Sequence, residues 1–155
     1  MSTNGDPDYV HAQTGKVLGA FLTQQPLEEL VGPAREEVLT RAMGAAVTFD
    51  GIVRDHDGGQ RVKLLTYSSH PSADAEIARI AGEVAAAHPA VRLWTAHRTG
   101  PLTIGELAFV VIASSAHRKD SFVAAAELAD RVKAEVPIWK EQLLDDDSVQ
   151  WVGIE

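Results

Sequence analysis

Five of the basic residues late in the chain could do chemistry: His117, Arg118 and Lys119, then Lys133 and Lys140. The first three follow an apolar run and open a stretch of helical periodicity. Free backbone N–H groups at a helix start, joined by cationic side chains, bind phosphate or carboxylate. The same cations oppose the helix dipole, at a cost of about 0.3–1 kcal/mol each. The alternative is three solvated side chains on a loop, with Ser115 as a simple N-cap. With Phe122 as origin and about 100° per residue, Ala126, Ala129, Lys133 and Val136 fall within about 40° of it. That sets Lys133 at the centre of an apolar helix face. Either its stem packs while the ammonium reaches the edge, or the ammonium is desolvated and usable as a nucleophile or proton carrier. Arg54 ends the run Phe49-Asp50-Gly51-Ile52-Val53-Arg54, as a surface charge or as an anion holder. Lys140 follows Trp139, and a charge with its stem on the indole accounts for it without chemistry.

Composition narrows what such a site can be. The chain has 155 residues, enough for one domain with its own core. The net charge of −8 argues against wholesale nucleic-acid binding, so an anion site must be a local basic pocket. Cysteine is absent, which excludes disulfides, thiolate metal sites and cysteine nucleophiles. Any sulfur handled here must arrive on another molecule. No His, Asp or Glu cluster has metal-ligand spacing, and GxSxG, P-loop and Rossmann patterns are missing. Neither a metal nor a cofactor is expected. No apolar run approaches the roughly 20 residues that span a bilayer. The N-terminus lacks the basic-then-apolar pattern of a signal peptide, so a cytoplasmic location without membrane attachment is expected.

The elements that must position these residues are readable from periodicity. Residues 1–15 read as a disordered tail and 16–155 as a single domain. Residues 16–23 predict a strand. A helix starts at Pro26, is interrupted at Gly32-Pro33, and resumes over 34–43. Residues 44–54 form a strand in which Gly51 marks a bulge or a close backbone approach. Asp57-Gly58-Gly59 turns the chain into a returning strand over 62–67. The pattern over 71–88 is a helix with Ile77, Ile80, Ala81 and Val84 on one face. Residues 91–98 alternate as a strand, and Thr99-Gly100-Pro101 is a turn. Residues 107–113 are continuously apolar, as in a central strand covered on both faces. A helix over 116–135 follows, then an extended stretch over 137–144 and a short last strand near Trp151. This order predicts an α+β fold, a mostly antiparallel sheet with helices packed on one face.

A resemblance adds to this reading. Gly44-Ala45, the run from Phe49 to Arg54, His97-Arg98-Thr99-Gly100 and Gly105-Glu106 resemble the large subunit of molybdopterin synthase, the MoaE family. So do Ser115-Ala116-His117-Arg118, Phe122, Asp130, Lys133, Pro137-Ile138-Trp139-Lys140 and Trp151-Val152. The resemblance runs from about Val17 to Gly153. It implies an α/β hammerhead fold and a homodimer within a heterotetramer. Each end would bind a small ubiquitin-like sulfur carrier, the MoaD-like subunit, through its C-terminal Gly-Gly thiocarboxylate. The implied reaction moves sulfur from that carrier to cyclic pyranopterin monophosphate, building the dithiolene of molybdopterin.

Carried over residue by residue, the resemblance makes Lys133 and Lys140 the catalytic pair. Arg54, His117 and Arg118 would hold the pterin phosphate, the last two reaching the partner protomer's site. Phe49 would line the pocket beside Ile52 and Val53. Glu141 and Gln142 lie in the segment that contacts substrate in the family. The sequence departs from the commoner pattern at Tyr67-Ser68-Ser69-His70, where many members carry glutamate and tyrosine, so no role is carried to those side chains. Two other readings remain open at this point: a scaffold subunit that docks a carrier without converting substrate, and a phosphate-ester hydrolase using His117.

Overall fold

The structure is a computed structural model that describes residues 7–153. A short helix α1 (Pro7–His11) leads into β1 (Lys16–Thr23), a 3-10 turn (Leu27–Glu29) and α2 (Val31–Val38). Then come β2 (Ala45–Ile52), β3 (His56–Asp57), β4 (Gln60–Ser69), α3 (Ala73–Ala87) and β5 (Val91–Arg98). The chain ends with β6 (Gly100–Leu102), β7 (Leu107–Ser115), α4 (Arg118–Glu135), β8 (Ile138–Leu144) and β9 (Val149–Val152). Of the expected tail, residues 1–6 lie outside the described residues. The remainder starts with α1, and the Gly15 N–H donates to the Val91 carbonyl at 2.7 Å, tying the entry of β1 to β5.

The mixed α+β class is as expected, with the strands divided between two sheets. The first has the order β1-β5-β7-β2, in which β1 runs parallel to β5 and the other pairs are antiparallel. The second has the order β3-β4-β8-β9, antiparallel, with β6 also paired to β4. Strand β7 is central to the first sheet, and its alternate residues face opposite ways. Phe109, Val111 and Ala113 meet Ile77, Ile80 and Val84 of α3 and Leu128 and Val132 of α4. Val110 and Ile112 meet Leu27, Ala34, Val38 and Trp94. The two long helices thus cover one face, and the 3-10 turn with α2 covers the other. A strand enclosed on both sides needs apolar residues at every position, which residues 107–113 supply.

Several local expectations change. Helix α2 runs through Gly32-Pro33, because Pro33 falls in the first turn, where the backbone N–H has no helical partner. It stops at Val38 and Leu39 is extended, so the helix does not continue to residue 43. The stretch read as a turn around Gly100 is β6. The largest correction concerns α4. Its buried stripe is Ser121, Ala124, Ala125, Leu128 and Val132, whereas Phe122 is 60% exposed. Alanines lie on both candidate faces, and the longer Leu128 and Val132 side chains decide which one packs.

Two glycine features position the site. The register of β2 against β7 shifts between Gly51 and Ile52, where an added Cβ would stand 3.2 Å from Phe109 Cβ and 3.3 Å from its carbonyl oxygen. Gly58 and Gly59, at φ 57° and 80°, form the two-residue turn between β3 and β4. That turn pairs β3 with β4, so Asp57 lies at one end of the second sheet's strand order.

Candidate active site

The site lies where the C-terminal end of α4 meets the facing edges of the two sheets. A cavity of about 350 Å³ is lined by Phe49 and Ile52 of β2, then Val53 and Arg54, and by His56 and Asp57 of β3. Tyr67 of β4, His97 of β5, Phe109 of β7, Lys133 of α4, and Lys140 and Gln142 of β8 also line it, with Gly51, Leu65 and Ala108. An adjoining hollow of about 220 Å³ shares Tyr67, His97, Lys133 and Lys140, and adds Trp139 and Gly153. Both lysines therefore stand where the two spaces join. They come from different elements, and the pairing of Tyr67 with Lys140 across β4 and β8 sets the height of Lys140.

Lys133 is exposed, next to the buried Val132 and not at the centre of an apolar stripe. Of the two readings of this lysine, the packed stem with an ammonium at the edge matches its position. The desolvated ammonium loses its basis, since the helix face that is stripped of water is the one through Leu128 and Val132.

Alternation along β8 puts Lys140 and Gln142 on one side and Glu141 on the other. Gln142 is 1% exposed, and its Nε2 donates to Gln150 Oε1 at 3.1 Å. Lys140 Nζ stands 3.4 Å from Asp57 Oδ2. Burial pushes the Asp57 carboxyl up, but a hydrogen bond from Gln142 and the charges of Lys140 and Arg54 outweigh it and hold the carboxyl below its usual range. Among the lining residues, Arg54, Lys133 and Lys140 face the one carboxylate of Asp57. The result is a net positive pocket in an acidic chain, which concentrates anions locally.

His97 forms the back wall. Its ring stacks on Phe109, and Tyr67 meets it edge-on with centroids 4.7 Å apart. Its Nδ1 lies 2.8 Å from the Arg98 carbonyl oxygen, so Nδ1 carries the proton and donates, leaving Nε2 as the acceptor. Burial lowers its pKa to about 4; the Arg98 carbonyl opposes this and the Lys133 charge adds to it. The imidazole is neutral at neutral pH. Burial, followed by the Asp57 charge, raises the Tyr67 hydroxyl above its ordinary value.

Seven of the sequence-predicted residues thus meet on one cavity: Phe49, Ile52, Val53, Arg54, Lys133, Lys140 and Gln142. Glu141 lines neither space. His117 and Arg118 lie elsewhere, in a shallow depression beside Gly44 and Ala45. Arg118 begins α4 and Lys133 is near its end, so about 22 Å of helix separates them. The N-cap position belongs to His117, and Ser115 Oγ bonds the His117 carbonyl and Ser121 Oγ instead. Sequence reasoning gave no site role to Asp57, Tyr67 or His97. Asp57 was hidden inside a turn signal. His97 stood in the motif His97-Arg98-Thr99-Gly100 near the end of β5, a position that also reads as a plain sheet-edge pair. Among the described residues, no three His, Asp or Glu side chains converge as a metal-ion site, and no helix is long and apolar enough to cross a membrane.

The family described as MoaE protein matches residues 22–135, most of the chain. The chain belongs to the MoaE family. Among MoaE relatives, the molybdopterin synthase catalytic subunit of Staphylococcus carnosus (strain TM300) is 37% identical over 77% of this chain and 79% of its own length. The protein of the same name from Oryza sativa subsp. indica is 42% identical over 74% of this chain and 60% of its own length. The crystal structure of molybdopterin synthase from Staphylococcus aureus superposes with a TM-score of 0.80 at 32% identity, covering 86% of this chain and 96% of that one. A MoaE protein from Burkholderia ambifaria MC40-6 shares the fold at 24% identity and a TM-score of 0.68, covering 90% of this chain and 89% of that one.

Proposed function

We propose that this chain is the catalytic subunit of a molybdopterin synthase, a sulfurtransferase of molybdenum-cofactor biosynthesis. It takes sulfur from the thiocarboxylated Gly-Gly end of a small MoaD-like carrier and delivers it to cyclic pyranopterin monophosphate. The reading rests on the convergence of Lys133 and Lys140, from two different elements, on one cavity that also holds Arg54. Both reactants are anions, and the three cations answer that charge. The chemistry needs no cysteine of the enzyme, in keeping with a chain that has none.

In this mechanism the thiocarboxylate sulfur attacks a side-chain carbon of the pterin, forming a carbon–sulfur bond while a carbon–oxygen bond to that carbon breaks and the departing oxygen takes up a proton. The ammonium groups of Lys133 and Lys140 hold the charge that develops and supply or accept protons. The product of attack joins carrier to pterin through an acyl–sulfur bond. Water attacks the acyl carbon, the carbon–sulfur bond to the carrier breaks, and the sulfur stays on the pterin. The carrier leaves as a carboxylate, and a second carrier supplies the second sulfur. Residues 16–155 act as one catalytic domain in the cytoplasm.

The 22 Å between Arg118 and Lys133 favours an assembly in which two copies exchange these groups. We place His117 and Arg118 at the pocket of the second protomer, where they bind the pterin phosphate, in a homodimer carrying a carrier at each end.

The test mixes the protein with thiocarboxylated carrier and cyclic pyranopterin monophosphate and measures molybdopterin. Absence of product from the wild-type protein overturns the assignment. Lys133→Ala is expected to lower turnover by about 100-fold or more, the scale of losing an electrostatic group that acts in the transition state. Because Lys133 is exposed, its stability should change by no more than about 0.5 kcal/mol. Undiminished turnover in that variant refutes the role given to the residue.

A further inference from the structure

A carboxylate inside an anion-binding pocket works against the pocket's purpose unless it has a task there. Asp57 is such a group. It reaches the cavity from β3 and stands 3.4 Å from Lys140 Nζ. The hairpin does not need this contact to hold its shape. Its backbone pairs His56 with Arg61 and Asp57 with Gln60, and the Val62 N–H donates to the Asp55 carbonyl at 2.9 Å. Nor is the pair sealed: the side chains of Lys140 and Asp57 are 27% and 28% exposed. Partly exposed ion pairs of this kind separate readily.

The Asp57 carboxylate also has the same two-oxygen end as a peptide C-terminus. It shares the cavity with Gln142, whose position is fixed by burial and by the bond to Gln150. Lys140 and Gln142 project from one face of β8 as a ready-made pair of donors for a carboxylate. Asp57 stands at these donors, paired with Lys140.

We propose that Asp57 is the resident counter-ion of Lys140, displaced when a carboxylate or thiocarboxylate chain end binds, and that it thereby sets the pocket's affinity for such ends. Binding is then an exchange of one carboxylate for another at Lys140 and Gln142. The hairpin allows this, since rotation about the Asp57 side chain suffices to release the lysine while the Gly58-Gly59 turn stays in place. The exchange keeps Lys140 from being left unpaired in the empty pocket, and it weakens attachment of the spent carrier, which must leave. The proposal depends on the synthase reading only for the identity of the ligand.

The experiment measures Kd for two probes: the carrier ending in a Gly-Gly carboxylate, and acetyl-Gly-Gly. Each is titrated against wild-type protein, Asp57→Asn, Asp57→Glu, Lys140→Gln and the Asp57→Asn/Lys140→Gln double variant. Asp57→Asn should bind both probes about three- to fivefold more tightly, the scale of one partly exposed ion pair. Asp57→Glu should stay near the wild-type value, and the gain should vanish when Lys140→Gln is already present. Equal or weaker binding by Asp57→Asn overturns the proposal and leaves Asp57 a structural partner of Lys140. Failure of acetyl-Gly-Gly to bind any variant overturns it as well. If acetyl-Gly-Gly shows the gain while the carrier binds nothing, the counter-ion role stands and the synthase reading falls. Matching circular dichroism and melting curves exclude misfolding as the cause.

Discussion

The imidazole of His97 lies on the ring of Phe109, with 5.4 Å between centroids and 26° between planes. This packing, at 8% exposure, keeps the ring neutral by pushing its pKa down from 6.5 to about 4. The unfolded chain binds a proton at His97 as the pH drops below about 6.5, while the folded chain resists until about 4. Stability is therefore full above about 6.5 and is lost as the pH falls through that window. The expected loss between pH 7 and pH 5 is about 2 kcal/mol from this residue alone. Urea unfolding of the wild type and of His97→Phe at both pH values checks it. The variant keeps the aromatic stack, and its decline should be smaller by about that amount.

Arg92 ties three segments together without touching the cavity. It is 8% exposed, and its guanidinium donates to the carbonyls of Val38, Glu37 and Gln13 at 2.8–2.9 Å. Two of these acceptors end α2, where a cation also complements the helix dipole. Arg92→Met takes a donor from the Glu37 and Gln13 carbonyls and leaves the Val38 carbonyl with the Ser114 hydroxyl alone. The expected loss is about 3–5 kcal/mol, read from the denaturant midpoint, because breaking a buried charged network strands its partners. With stability restored by low temperature, turnover should return, since no cavity residue has changed.

The site was legible in the sequence where chemistry and local geometry coincide. Gly51 and Gly58-Gly59 marked an irregular strand and a tight turn, and both are there. The unbroken apolar run over 107–113 could only suit a strand covered twice. The face of α4 was misread because Ala124 and Ala125 on one side look like Ala126 and Ala129 on the other. Periodicity cannot rank two alanine faces, and the sheet beneath makes the choice. Asp57 escaped because its meaning depends on Lys140, which reaches it only through the register of β4 against β8. Such register is a tertiary fact that no short window contains. The resemblance gathered Lys133, Lys140 and Arg54 into one site, and the helix expected over 116–135 already set Arg118 and Lys133 at its opposite ends, where the structure has them.

That separation gives the sharpest test of the dimer. Arg118 and Lys133 belong to one helix but, in the proposed assembly, serve different pockets. Arg118→Ala and Lys133→Ala should each be nearly inactive when pure, the first through weaker phosphate binding and the second through lost catalysis. Mixing them under conditions that exchange subunits makes a hybrid with two unlike pockets. One pocket carries both defects and the other carries neither. Random exchange of equal amounts places half of the dimers in the hybrid, so about a quarter of wild-type pockets are restored. Molybdopterin formation should recover to about that fraction, against almost none before exchange. If activity does not rise although mass spectrometry shows hybrids, His117 and Arg118 do not work across the interface, and the phosphate must be held by Arg54 within one protomer.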